Sequence, residues 1–194
     1  MSRHALEIRD AQPEDAAELL ELWAEAGPRG AEAAGPRGVE EAEAALAQIA
    51  ADPDERIVVG FHEGVLVAAV HLRRGPISPL VRDLGVHTSY LLVLPGHRKH
   101  GFAHALLDVA VTWAEDKDAA QVTAITASSS RDTNRFLARL GLGTVASVRI
   151  ASTAVLRHKL TPEALRPTDA RRNLGRVLAQ RRSIQRRAQD RAGE

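Results

Sequence analysis

The 194-residue sequence predicts an α/β fold, with one mixed-sheet domain over residues 1–160 and an arginine-rich extension over residues 161–194. Short runs rich in β-branched residues alternate with longer amphipathic segments, which is the order expected of a mixed sheet flanked by helices. Hydrophobic residues make up 44% of the chain and charged residues 26%, as in ordinary globular proteins. Beyond residue 161 the apolar pattern thins and nine arginines dominate.

The first half of the domain begins with a short alternating strand and a helix that opens at Pro13, where Glu14 and Asp15 suit the helix dipole. An alanine- and glutamate-rich segment predicts a second helix. Two apolar runs separated by Glu63-Gly64 predict a hairpin. The predicted elements are a strand at 4–9, helices at 13–26 and 39–51, and strands at 56–62 and 65–72.

The second half contains a long strand that stops at Pro95 and a strongly amphipathic helix whose apolar residues recur at helical spacing. A strand that feeds a helix and then another strand predicts a parallel crossover. The predicted elements are strands at 84–94 and 121–127, helices at 101–117 and 131–140, and two last strands at 143–150 and 153–160.

Composition excludes several classes of protein. The chain has no cysteine, which removes disulfides, thiolate metal sites and a cysteine nucleophile. No apolar run approaches the roughly 18 residues needed to span a bilayer, and the opening residues show no apolar leader. Only 3% of residues are aromatic, which argues against base stacking on single-stranded nucleic acid. We therefore expect a soluble, cytoplasmic protein with no membrane partner.

The turn between the strand at 84–94 and the next helix is the clearest candidate binding site. The first N–H groups of a helix lack internal partners, and the helix dipole places partial positive charge there. Gly101 would let a phosphate approach the backbone, and Arg98 and Lys99 add full positive charge. A net charge of −10 over residues 1–63 and +6 over 64–160 also favours an anionic ligand in the middle of the chain.

The same segment resembles the acetyl-CoA-binding motif of the GNAT family of N-acetyltransferases. The matching residues are Leu91-x-Val93-x-Pro95-x-x-Arg98-x-x-Gly101-x-Ala103, followed by Leu106-Leu107. Two looser matches flank it, Ile8-Arg9-x-Ala11-x-Pro13-x-Asp15 and Arg135-Phe136-Leu137-x-x-Leu140-Gly141-Leu142. The resemblance covers about residues 4–160.

The resemblance implies a sheet whose fourth and fifth strands splay apart, with acetyl-CoA in the gap as cosubstrate and no metal. Backbone near Leu91 and Val93 would pair with the pantetheine arm, and the Val93 amide would polarise the thioester carbonyl. Ser130 aligns with a frequent asparagine of the family; it can bond the cofactor or cap a helix, and we expect the cap. The pyrophosphate would be held by the backbone amides of Arg98, Lys99, His100, Gly101, Phe102 and Ala103.

The resemblance also implies direct attack of a primary amine on the thioester, for which a general base is useful. Some members place a glutamate six residues before the valine, and His87 occupies that position here. Strand alternation puts His87 on the same face as Ser89, Leu91 and Val93, and a histidine can accept a proton near neutral pH. The alternative is that His87 only lines the sheet.

Two departures from the family concern leaving-group protonation. A tyrosine that can protonate the thiolate in many members is replaced by Leu137. Tyr90 is the only tyrosine, and strand alternation places it on the face opposite His87, which makes it a poor substitute. Protonation would then come from solvent or another group. The missing hydroxyl keeps open a non-catalytic or regulatory CoA-binding domain as the alternative function.

Three further groups of residues admit more than one interpretation. His97, His100 and His104 have the spacing of metal ligands, but the first two fall in the phosphate turn and no carboxylate completes the set. Arg73, Arg74 and Arg82 either bind an anionic group on the acceptor or are solvated. The arginine-rich extension lacks a recognisable nucleic-acid-binding module, so we expect it to pack on a partner or remain solvated. The acceptor, a small molecule or a peptide amine, is left open, as is a homodimer.

Overall fold

The computed structural model describes residues 6–27, 38–80 and 82–161. The chain divides into two units, with the break between Val148 and Arg149. Apart from Thr161, the predicted arginine-rich extension lies outside the described residues. The elements, in order, are β1 (Glu7–Asp10), a 3-10 turn (Pro13–Asp15), α1 (Ala16–Ala26), α2 (Val39–Ala51), β2 (Glu55–His62), β3 (Val65–Pro76), β4 (Leu84–Val93), a 3-10 turn (Pro95–His97), α3 (Phe102–Asp116), β5 (Gln121–Ala124), α4 (Arg131–Arg139) and α5 (Thr153–Leu160).

The five strands form one mixed sheet in the order β1-β2-β3-β4-β5. The first three pairings are antiparallel, and β4 pairs with β5 in parallel across the α3 crossover, as predicted. The predicted hairpin joins β2 to β3. Glu63 and Gly64 both have positive φ, 54° and 78°, which is the conformation that a two-residue hairpin turn requires.

Each face of the sheet is covered by helices. One core cluster joins Val70, Leu72 and Val86 of the sheet to Leu106 and Trp113 of α3, and we call this side the α3 face. The other cluster joins strand residues to α1 and α2, and we call it the α1/α2 face. Its members include Val59, Ala69, Leu92, Leu19, Leu22 and Leu46.

A β-bulge interrupts β4 just before its carboxyl end. Ser89 pairs with His71 but Leu92 pairs with Ala69, so β4 carries one more residue than β3 over this stretch. Tyr90, inside the bulge, has a φ of 51°, which is unusual for a residue with a side chain. An extra residue reverses the alternation of side chains beyond it.

The bulge corrects two expectations about β4. Ser89 stays on the α1/α2 face with His87, whereas Leu91 and Val93 pack against the α3 cluster, so the prediction that all four share one face was wrong. Tyr90 packs against Trp23 of α1, with ring centroids 5.1 Å apart. It therefore lies on the same side as His87, and the prediction of opposite faces was also wrong.

The two strands predicted at 143–150 and 153–160 were wrong. The described residues from 143 to 161 contain no strand, and α5 occupies Thr153–Leu160. The Ser152 hydroxyl accepts a hydrogen bond from the Val155 amide at 3.3 Å, and basic residues fill the last turn of α5, where the dipole favours them. The β-branched residues of this stretch are exposed, so they do not pack against a neighbouring strand. Strand propensity depends on such packing.

None of the helices in the described ranges is long and apolar enough to cross a membrane.

A charged pair anchors the start of the domain. Both terminal nitrogens of Arg9 donate to the Asp15 carboxylate, at 2.6 and 2.7 Å, and the Gln12 amide donates to the same group at 2.7 Å. Asp15 is only 6% exposed. The hydrogen bond from Arg9 is the main cause that lowers the pKa of Asp15, and it raises the pKa of Arg9 in return.

We predict that Asp15→Asn lowers the free energy of unfolding by about 1–3 kcal/mol at pH 7, because it removes the charge from a buried hydrogen-bonded group. Since folding lowers this pKa, the contribution is fully present above the ordinary carboxyl value of about 4 and is lost as pH falls through the folded value. Urea unfolding at pH 7 and at pH 3 measures both effects. Asp10→Asn is the matched control, because Asp10 pairs with Arg56 at the surface and should matter less. An equal loss for Asp15→Asn at both pH values would contradict the assignment.

Candidate functional site

β4 and β5 separate beyond the middle of β4. Their pairing runs from Gly85 opposite Gln121 to Thr88 opposite Ala124, and the Ile125 amide then donates to the Thr88 carbonyl at 2.8 Å. β4 continues five residues further along β3. A gap therefore opens beside residues 89–93 of β4.

The backbone of Val93 faces this gap. The next residue, Leu94, donates its amide to the Val67 carbonyl at 2.9 Å, toward β3. Because backbone groups of successive residues point to opposite sides of a strand, the Val93 amide and carbonyl point away from β3. The Arg98 side chain reaches back to the Val93 carbonyl at 3.5 Å from Nε.

The turn between β4 and α3 is tightly bent. After the 3-10 turn, Lys99 has a φ of 68° and Gly101 a φ of 89°, and α3 begins directly after Gly101. No heavy atom lies within 4 Å of where a Cβ of Gly101 would stand, so the space beside this glycine is open. Phe102 is buried in the α3 cluster and fixes the first turn of the helix against the sheet.

Six consecutive backbone N–H groups at this turn, from Lys99 to His104, find no acceptor among the described residues. The next amide, that of Ala105, donates to the Gly101 carbonyl at 3.0 Å. The side chains of Arg98 and Lys99 are exposed beside them. Unpaired amides at a helix start, with two cations beside them, are chemically suited to bind an anion such as a phosphate.

The histidines of the turn surround a phenylalanine. The rings of His97 and His100 lie 6.0 and 6.1 Å from that of Phe102, and His62 of β2 lies 5.6 Å from it. In the part of the chain that the structure describes, no three histidine or carboxylate side chains are grouped so that they could hold a metal ion. The spacing of His97, His100 and His104 thus does not converge on one point.

The α1/α2 face carries a row of polar side chains near the gap. His87 Nδ1 lies 2.8 Å from the Thr123 hydroxyl, across the paired part of β4 and β5. His71 Nδ1 lies 2.9 Å from the Ser89 hydroxyl. Sequence analysis missed His71 because its partners are distant in sequence, and only the strand register brings them together.

Of the three arginines around the loop before β4, Arg73 and Arg74 lie on β3, and Arg82 is exposed in the segment that leads into β4. Arg73 is exposed and lies opposite His87 in the register. Arg74 is held in an ion pair, with Nε 2.7 Å from Asp54 Oδ1. Of the two arginines on β3, Arg73 is thus the one whose side chain is placed to meet an anionic group on the same face of the sheet as His87.

The turn before α4 is held by a residue that the sequence did not reveal. Ser130 is the first residue before α4, but its hydroxyl donates to the Thr133 hydroxyl at 2.7 Å, so the expected side-chain cap was wrong. Asn134 Nδ2 donates to the carbonyls of Ala127 and Ser130, at 3.1 and 2.8 Å. Leu137 is buried, and no hydroxyl stands at its position.

The fold can be compared with those of known proteins. The model of the Acetyltransferase (GNAT) family matches residues 16–142. The chain belongs to this family. None of the curated proteins matches the sequence.

Solved structures share the fold at low sequence identity. A transcriptional regulator from Bacillus halodurans C-125 matches with a TM-score of 0.66 and 16% identity, covering 76% of this chain and 100% of that one. The aminoglycoside N-acetyltransferase AAC(6')-Iy, solved with CoA, matches with a TM-score of 0.61 and 14% identity. The match covers 77% of this chain and 95% of that one. Glucosamine-6-phosphate N-acetyltransferase from Arabidopsis thaliana matches with a TM-score of 0.62 and 15% identity. The match covers 76% of this chain and 97% of that one. The five-stranded mixed sheet is thus the GNAT fold.

We predict that Asn134→Ala destabilises the domain by about 0.5–1.5 kcal/mol, because the carbonyls of Ala127 and Ser130 each lose one of two donors and keep only a backbone amide. Ser130→Ala should cost less, since its hydroxyl bonds only to another hydroxyl that water can replace. Denaturant unfolding of both variants measures the difference. A larger loss for Ser130→Ala than for Asn134→Ala would show that the serine, not the asparagine, holds the turn.

Proposed function

We propose that the chain is an N-acetyltransferase that transfers the acetyl group of acetyl-CoA to a primary amine by direct attack. One observation carries the proposal: six unpaired amides at the start of α3 stand beside the gap between β4 and β5. A diphosphate bound by these amides would place the rest of CoA along the gap. The proposed pyrophosphate ligands are the backbone amides of Lys99, His100, Gly101, Phe102 and Ala103. The Arg98 amide, expected from the sequence to join them, already donates to the Pro95 carbonyl at 3.4 Å, so Arg98 contributes its side-chain charge instead.

The gap supplies the groups that a thioester needs. In the proposed complex the pantetheine arm lies against β4 near Leu91 and Val93, and the Val93 amide donates to the thioester carbonyl. A donor there stabilises the negative charge that develops when the amine attacks. Acetyl-CoA, when bound, supplies the activated acetyl group.

The acceptor would approach from the α1/α2 face, because α3 and its core fill the other face. The amine must be neutral to attack, so a nearby proton acceptor is useful. His87 is the base that the family resemblance suggests, and its Nδ1 bonds Thr123. Relatives of the same fold are named for aminoglycoside and glucosamine-6-phosphate acetylation, which supports a small amine as the acceptor.

A non-catalytic CoA-binding protein is the second candidate function. Leu137 stands where many members carry a tyrosine that can protonate the leaving thiolate, and one structural relative is named a transcriptional regulator. Release of free thiol from acetyl-CoA distinguishes the two functions. We expect release with at least one amine from a panel of an aminoglycoside, glucosamine 6-phosphate, a polyamine and a peptide with N-terminal alanine; tight CoA binding with no release would favour the binder.

We predict that Gly101→Glu lowers CoA affinity by about 100-fold or more, because a carboxylate set against the pyrophosphate costs several kcal/mol. Gly101→Ala should lose less, since it adds only a Cβ at a φ of 89°. Calorimetry measures both affinities, and thermal unfolding confirms that the variants are folded. Gly143→Glu is the matched control, because it adds the same charge at an open position outside the turn. A folded Gly101→Glu variant that binds CoA as the wild type does would refute the site.

A further inference from the structure

Three polar side chains on neighbouring strands form a continuous chain on the α1/α2 face. The Ser89 hydroxyl of β4 lies 2.9 Å from His71 Nδ1 of β3, and His71 Nε2 lies 2.7 Å from Glu55 Oε1 of β2. The side chains of His71 and Glu55 are 20% and 24% exposed, so both are largely withdrawn from solvent. We call these three residues the Ser89 relay.

The carboxylate sets the direction of the hydrogen bonds. An ionised glutamate only accepts, so His71 Nε2 must carry the proton that points at Glu55. In the neutral ring, Nδ1 is then the acceptor, and the Ser89 hydroxyl donates to it. A serine hydroxyl that donates inward has its lone pairs free to accept a proton from a second group.

Ser89 lies at the point where the gap opens. Thr88 is the last residue of β4 paired with β5, and Ser89 is the next. Leu91 is two residues further along the strand, just beyond Tyr90 of the bulge. His87 lies on the other side of Thr88, within the paired stretch and bonded to Thr123. Of the two, Ser89 is the nearer to the segment where the thioester would lie.

We propose that Ser89 accepts the proton of the attacking amine and passes its own proton to His71, with His71 and Glu55 as positioning residues. This rests on the proposed function. The amine nitrogen forms a bond to the thioester carbonyl carbon, and the carbon–sulfur bond breaks to release the thiolate. The ammonium proton moves to Ser89 Oγ as the serine proton moves to His71 Nδ1. Glu55 stabilises the imidazolium by ion pairing, and the thiolate takes a proton from water.

The far end of the relay has an outlet to solvent. Glu55 lines a cavity of about 370 Å³ between α2, the start of β2 and Trp113 of α3. The His71 imidazolium can therefore lose its excess proton to solvent at this end of the relay, beside the Glu55 carboxylate, after each turnover. The charged groups near the relay are those of the cavity wall and of the adjoining register positions: Asp10, Asp52, Arg56, Arg73 and His87.

Steady-state kinetics of the full chain test the proposal, with the panel amine that gives the fastest thiol release. We expect Ser89→Ala and His71→Gln each to lower kcat about 100-fold, the usual size of a general-base contribution. Combining them should cost no more than about 3-fold beyond either one, because the residues act as a unit. Glu55→Gln should lower kcat less, and Ser89→Thr should restore most of the rate because it keeps the hydroxyl.

Two readouts separate a proton relay from a structural role. The affinity for CoA and the thermal unfolding midpoint of Ser89→Ala should stay close to those of the wild type. His158→Gln, an exposed histidine of α5, is the matched control and should leave kcat unchanged.

The outcomes also distinguish the relay from the proposed function. A wild-type chain that acetylates no panel amine contradicts the proposed function. A wild-type chain that is active, with Ser89→Ala and His71→Gln within about 2-fold of it, overturns the relay alone. Loss of turnover in His87→Ala with an active Ser89→Ala variant would assign the base to His87 and overturn the relay as well. Multiplicative losses in the double variant would show that the two residues act separately.

Discussion

The extra residue in β4 is the constraint on which the site depends. In a regular strand, residues two apart share a face, so Ser89, Leu91 and Val93 would all point to one side. The bulge at Tyr90 breaks that rule once. It lets Leu91 and Val93 anchor β4 in the α3 core, while Ser89 and Tyr90 stay on the α1/α2 face. One strand thereby supplies backbone to the gap, apolar contacts to one core and polar groups to the other face.

The turn before α3, where we propose that the pyrophosphate binds, depends on backbone geometry more than on side chains. Its donors are amides, and the conformational requirement falls on Gly101 and Lys99, whose φ angles are positive. Such a turn can form with many different side chains in the rest of the sequence, provided that a strand precedes it and a helix follows. This is consistent with a fold shared at 14–16% identity by the three structures compared above.

Prediction from sequence succeeded where the pattern is local. Helical periodicity predicted α3, and an alanine- and glutamate-rich composition predicted α2. The Glu63-Gly64 pair predicted the hairpin, and glycine and proline marked the turn before α3. It failed where the outcome depends on partners that are remote in sequence. The bulge is a mismatch between β3 and β4 that neither strand shows alone, and the contact between Ser89 and His71 follows from that register. Residues 143–160 have strand propensity, but without a neighbouring strand the local cap at Ser152 favours a helix.

Leu137 does not by itself argue against catalysis. Acetyl transfer from a thioester to an amine is neutral in protons, because the amine loses one and the thiolate gains one. A tyrosine at position 137 would donate the proton that the thiolate gains. In the proposed Ser89 relay, His71 takes up the proton that the amine loses, and water donates the proton that the thiolate gains. In that arrangement the thiolate is protonated by water rather than by a protein group. This slows turnover only if protonation is slower than cleavage of the carbon–sulfur bond. A CoA thiolate is a good leaving group because it is a much weaker base than an alkoxide or an amide anion, so the chemistry of attack, rather than that of departure, places the stronger demand on the protein.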